Sequence, residues 1–134
     1  MVAPVRVVLD SGALIAAESR ARSVWSFHEV AEPGVRDLVV ITPVVAQVWR
    51  DGSRQALLAK FLRRCVIEHP SFETAKHAGV LLGRADAADA VDALVVATAI
   101  AINAKAIITS DAGDIKKLCG AARTSLTLPL IERI

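Results

Sequence analysis

Val5-Arg6-Val7-Val8-Leu9 is a β-branched and aliphatic run that stops at Asp10-Ser11-Gly12, after which Ala13–Ala17 reads as a helix. A strand that ends on an acid and turns into a helix opens a βαβ unit. The same succession returns along the chain. Ala21–Ala31 is a second, amphipathic helix carrying Trp25 and closed by Pro33-Gly34. Leu38–Ile41 is the next strand, and Thr42-Pro43 opens a helix with Thr42 as N-cap and Pro43 as its first residue. Asp51-Gly52-Ser53 breaks that helix, and Arg54–Arg64 forms another. Val66-Ile67-Glu68 is a short strand, and Ser71 caps a helix from Phe72 to about Arg84. Asp86–Asp89 reads as a loop, Ala90–Ala104 as a helix and Ala106–Thr109 as a strand. Asp111 begins a helix through Leu118, and Leu126–Leu128 is the last strand. Alternation of this kind predicts one parallel sheet in a single α/β domain over residues 1–134.

Composition agrees. Apolar residues make up 54% of the 134 residues but aromatics only 4%, so Ala, Val, Leu and Ile fill the core, as in helices packed on both faces of a buried sheet. The net charge of +2 is too small to argue for nucleic acid by itself. Cys65 and Cys119 have no second Cys or His at zinc spacing and read as free thiols of a reducing compartment. The most apolar windows, Leu38–Trp49 and Val91–Ile102, fall short of the ~18 residues of a membrane span. With no secretory pattern at the start, the expectation is a soluble, cytoplasmic protein.

Ligands of open parallel sheets gather beyond the carboxyl ends of the strands. Asp10 and Asp111 both follow strands there, and each is also a favoured helix N-cap. Asp92 is harder to explain as a cap. It stands in the first turn of a helix that is apolar nearly all round, with Val91, Leu94, Val95, Val96, Ala99 and Ile100. The helix dipole returns only ~0.3–1 kcal/mol to such an acid, whereas burying an unpaired charge costs several. Asp89, three residues earlier on the same face, adds a like charge. Either a divalent cation or the nearby Arg84 answers the need. Asp114 returns to the face of Asp111, or is a solvated first-turn acid. Carboxylates without His or Cys suit a hard ion, Mg²⁺ or Mn²⁺, and with it metal-assisted phosphodiester hydrolysis.

Three segments carry a resemblance: Val8-Leu9-Asp10-Ser11-Gly12-Ala13-Leu14-Ile15, Val91-Asp92-Ala93-Leu94-Val95-Val96-Ala97-Thr98-Ala99 and Ile108-Thr109-Ser110-Asp111-Ala112-Gly113-Asp114-Ile115. In this order and spacing the chain resembles a PIN domain, specifically a VapC-type toxin ribonuclease of type II toxin–antitoxin pairs. The resemblance implies a three-layer α/β/α fold with a central parallel sheet of four to five strands. It implies Mg²⁺- or Mn²⁺-dependent endonucleolytic cleavage of RNA by a homodimer under the control of a cognate antitoxin. Asp10, Asp92 and Asp111 match family acids, with Asp114 in support and Asp89 as an additional carboxylate. Thr109 or Ser110 matches a small hydroxyl that steadies the last acid, and Ser11 follows the first. One position departs: the family has a Glu in the helix after the second strand, where this chain has Gln47. An amide supplies neither negative charge nor a base near neutral pH. A catalytically weakened or inactive PIN-like module that binds RNA or protein is therefore the alternative to an active enzyme.

Arg20, Arg22 and Arg50 are candidates to hold RNA phosphates or to meet antitoxin acids, being close in sequence to Asp10 or Gln47. Lys60, Arg63 and Arg64 read as a solvated helix face, and Lys116 and Lys117 follow Asp114. Trp25, Trp49 and Phe27 are expected as core or interface anchors rather than base platforms. His28, His69 and His77 are scattered and take no catalytic role, and Arg6 is odd for a buried strand. A phosphotransfer domain with Asp10 as acceptor is disfavoured, because no second acid sits two residues from it.

Overall fold

The computed structural model describes residues 3–123 and 128–134. Its strands are β1 (Val5–Leu9), β2 (Arg36–Ile41), β3 (Val66–Glu68), β4 (Ala106–Thr109) and β5 (Leu130–Arg133). Its helices are α1 (Ser11–Glu18), α2 (Arg22–Val30), α3 (Thr42–Val48), α4 (Ala56–Leu62), α5 (Phe72–Ala85), α6 (Ala90–Ala101) and α7 (Ala112–Ala121). The five strands form one sheet in the order β3-β2-β1-β4-β5, and every pairing is parallel. α5, α6 and α7 pack together as one helical group, while α1 packs against α2, α3 and α4 as the other. All four residues of β4 and the last five of β2 are buried, as a sheet covered on both faces requires.

Local chemistry accounts for the boundaries that differ from the sequence reading. β2 runs straight into α3, so Ile41 is the N-cap and Thr42-Pro43 the first two helical residues. α4 starts later than Arg54 because Gly52–Arg54 forms a 3-10 turn and Gln55 is pulled inward. The buried Gln55 side chain donates to the Val48 carbonyl (2.9 Å) and accepts from the Arg50 N–H (2.8 Å), tying the end of α3 to the start of α4. α6 stops at Ala101 rather than Ala104, since Asn103 takes the left-handed conformation (φ 55°) that ends a helix. The fifth strand is Leu130–Arg133 and not Leu126–Leu128; Leu126 and Thr127 lie outside the described residues, and Leu128 precedes the strand.

Arg6 loses its oddity. Its guanidinium donates to the Ile102 carbonyl (3.3 Å), closing the carboxyl end of α6. Cys65 and Cys119 are free, as expected, and burial pushes their thiols up to about 12 and about 11. Among the described residues, no helix is long and apolar enough to cross a membrane.

Candidate metal centre at the carboxyl edge of the sheet

The chain runs from β1 to β2 and β3 on one side, then returns to β4 on the other side of β1. The strand order therefore reverses between β1 and β4, where parallel sheets open a ligand crevice. Asp10 follows β1 and Asp111 lies two residues past β4, so the two acids flank that crevice. α6 leads directly into β4 and runs against it, which brings the amino end of α6, with Asp89 and Asp92, to the same edge.

Asp10 is buried at 5% exposure. Its Oδ1 accepts the Ala13 N–H (3.0 Å), making it the N-cap of α1. The hydroxyl of Thr109, itself wholly buried, also donates to this carboxylate and accepts the Asp111 N–H at 2.9 Å. Despite those bonds, desolvation raises the Asp10 pKa above its ordinary value, with a further push from Asp111. Asp111 occupies the N-cap position of α7 but makes no capping bond, so its exposed carboxylate is available.

Asp92 is half-buried, and its pKa is raised to about 6. Burial is the leading cause, followed by the charges of Asp89, Asp10, Asp114 and Asp111. Each of these four acids is thus within electrostatic reach of Asp92. The ion pairs among the described residues are Arg36–Glu32 and Lys76–Glu73, and neither touches the cluster. Arg84 is exposed and forms neither of them, so it does not neutralise Asp92. Asp89 caps α6 through one oxygen, accepting the Val91 and Asp92 N–H groups at 3.0 Å each. Asp114 is exposed in the first turn of α7.

The acids do not form a closed cage. Among the described residues, no three Asp, Glu, His or Cys side chains stand close enough to clasp an ion by direct ligation. They stand close enough for their charges to raise the pKa of Asp92, without closing on a common point. That spacing and all-oxygen donor set fit an ion such as Mg²⁺, which keeps several waters and takes one or two carboxylates directly.

The remaining candidates divide. Ser11 is the first residue of α1, and Ser110 lies in the turn after β4. Gly12 brings those turns together, since a Cβ there would overlap the Ser110 hydroxyl and lie 2.7 Å from its Cβ. Sequence reasoning quoted Gly12 without assigning it this role, because close approach of two segments has no local signature. Gln47 is exposed on α3, a helix that packs on α1 and α6. Arg20 and Arg22 lie past the far end of α1, ~12 Å along the helix from Asp10 at 1.5 Å per residue. Arg20 borders a notch there with Trp25, Leu57 and Lys60. Arg50 folds back onto the end of α3, donating to the carbonyls of Ala46 (3.2 Å) and Trp49 (2.8 Å).

No family model and no curated protein sequence matches the chain. Solved structures do. A chain of VapBC2 from Rickettsia felis, bound to a DNA fragment from their promoter, superposes with a TM-score of 0.72 at 19% identity, over 96% of this chain and 98% of that one. A chain of VapBC-1 from nontypeable Haemophilus influenzae gives 0.69 at 12% identity, over 96% and 97%. A chain of a toxin–antitoxin complex from Klebsiella pneumoniae gives 0.65 at 19% identity, over 81% and 88%. At these identities the likeness is one of fold. The chain is an α/β/α domain of the PIN-like fold, and that fold is shared with chains of VapBC assemblies.

Proposed function

We propose that this protein is a divalent-metal-dependent endoribonuclease, the toxin of a VapC-type toxin–antitoxin pair. The observation that carries the reading is Asp92: a half-buried carboxylate facing four other acids, with no ion pair to Lys or Arg among the described residues. The VapBC and toxin–antitoxin assemblies that share the fold support the toxin role.

A bound Mg²⁺ or Mn²⁺ supplies an acidified water and neutralises charge on the phosphate. Asp10, Asp92 and Asp111 would hold it, with Asp114 and Asp89 at the margin. Thr109 keeps the Asp10 and Asp111 segments in register. Asp89 holds the amino end of α6, and so positions Asp92. RNA is the proposed substrate and a cognate antitoxin the proposed partner, with a homodimer as the working assembly. Gln47 motivates the second reading, a weakened or silent module, because it removes one charge from the family's acid set.

Cleavage of a structured RNA in Mg²⁺ or Mn²⁺, compared with Asp10→Asn, Asp92→Asn and Gln47→Glu variants, separates the two. Loss of cleavage in both Asn variants supports the nuclease. A Gln47→Glu variant that gains cleavage where the natural chain has none establishes the silent module. Cleavage that persists without divalent ions removes the metal-dependent reading.

A further inference from the structure

A small positively charged notch lies apart from the acids. Arg20 follows the carboxyl end of α1, ~12 Å along that helix from Asp10 at 1.5 Å per residue. With Lys60 of α4 it lines an opening of about 260 Å³, completed by Trp25 of α2 and Leu57 of α4. Both cations are exposed, and neither joins an ion pair among the described residues. No acid among the described residues lines the notch. Two positive charges on one small opening repel each other until an anion joins them.

Trp25 adds an aromatic surface to that charge. Its indole N–H donates to the Ala17 carbonyl (2.9 Å), and its ring meets those of His28 and Phe61 edge to face, with centroids 4.7 and 5.1 Å away. The ring is therefore held in place before any ligand arrives, and a stacking partner need not order it. Arg20 keeps a left-handed backbone (φ 63°), a conformation that glycine adopts with less strain. The turn gives no reason for an arginine there; the notch does. The positive field also reaches inward: burial lowers the pKa of His28, and the charges of Arg64 and Lys60 lower it further.

Size and charge together narrow the ligand. A helix of another protein, about 10–12 Å across with its side chains, is too wide to enter an opening of this volume. An isolated carboxylate answers the charge and leaves Trp25 unused. A nucleotide answers both, with phosphate for Arg20 and Lys60 and a base for the ring.

We propose that the Arg20–Trp25–Lys60 notch is a nucleotide site, taking a phosphate at the two cations and a base against the indole. That chemistry is the same in a free mononucleotide and in one nucleotide of an RNA strand. The site goes beyond the function proposed above, because it needs neither the acid cluster nor a metal.

The test is a titration of the full chain at low salt in EDTA, which keeps divalent ions from the acids. The indole N–H signal of Trp25 reports the notch, and that of Trp49 is the reference. The probes are AMP, adenosine, inorganic phosphate, a glutamate-rich peptide and a short single-stranded oligoadenylate. The expected result is a shift of Trp25 and not Trp49, with AMP binding at least about tenfold tighter than adenosine, phosphate or the peptide. Lys60→Gln and Arg20→Gly should each weaken AMP about fivefold or more. Glycine suits the backbone at position 20, so a loss of binding in Arg20→Gly is a loss of the side chain and not of the fold. Oligoadenylate that binds tighter than AMP assigns the site to a nucleotide within RNA, and equal or weaker binding assigns it to the free mononucleotide. The proposal is overturned if neither AMP nor oligoadenylate moves Trp25, or if the better of the two binds no tighter than adenosine or phosphate. A peptide that binds as tightly, or affinities unchanged in both variants, would overturn it as well.

Discussion

Thr109 donates its buried hydroxyl to the carboxylate of Asp10, joining the end of β4 to the end of β1. The same oxygen accepts the N–H of Asp111 at 2.9 Å, so one small side chain sets the separation of two acids that approach from different strands. Thr109→Val keeps the shape and removes both bonds. Leaving the Asp111 N–H without this partner should cost about 1–3 kcal/mol of stability. Because the Thr109 bond lowers the Asp10 pKa, its loss should raise that pKa further and weaken Mn²⁺ binding at neutral pH. Calorimetric Mn²⁺ titration should show weaker binding in Thr109→Val and near-natural binding in Thr109→Ser. Equal affinities in all three proteins would mean that the hydroxyl does not organise the site.

Asp92 makes the acid cluster a liability in the absence of metal. Its pKa is 3.8 ordinarily and about 6 in the folded chain, so between those values the folded state holds a proton that the unfolded state has released. Stability from this group is therefore present below about pH 4, falls as pH rises to about 6, and stays low above it. Asp92→Asn should melt higher than the natural chain at pH 7.5 in EDTA and at the same temperature near pH 3.5. Added Mn²⁺ should stabilise the natural chain and not the variant. Melting curves at the two pH values decide it, and a variant less stable at pH 7.5 in EDTA would contradict the account.

Gly12 and Ser110 should behave as a coupled pair. Gly12→Ala forces the turn after β4 away from the start of α1, at a cost of about 1–3 kcal/mol for overpacking. Ser110→Gly removes the obstructing atoms and should restore most of that loss. Urea denaturation of the two single variants and the double variant gives the coupling directly. Additive effects would show that the turns do not press on one another there.

His28 gives an opposing acid response. It stacks on Phe61 (4.9 Å, 27°), and its Nε2 has no hydrogen-bond partner among the described residues. Burial lowers its pKa from 6.5, and the charge of Arg64 adds to the effect. The unfolded chain thus takes up a proton before the folded one does. Stability from His28 is full above pH 6.5 and is lost as pH falls below it. His28→Phe, measured in the Asp92→Asn background to remove the opposing acid, should flatten the decline in melting temperature between pH 7 and 5. An unchanged decline would assign the acid response to another group.

Much of the fold was legible in the chain itself. The runs Val5–Leu9 and Ala106–Thr109 read as strands because β-branched and aliphatic residues suit a sheet covered on both faces, and the structure has the same bounds, with β4 wholly buried and β1 buried at Val8 and Leu9. Asp92 announced itself because a carboxylate on an all-apolar helix has no inexpensive explanation, and burial and like charge do raise its pKa. Such readings depend on a residue and its near neighbours, which sequence displays. Tertiary structure decided the rest. That β1 lies beside β4, that Gly12 admits Ser110, and that Gln55 ties the end of α3 to the start of α4 are contacts between segments the chain brings together only on folding. Nothing in local composition encodes them, because each depends on which surfaces the packed sheet leaves facing one another.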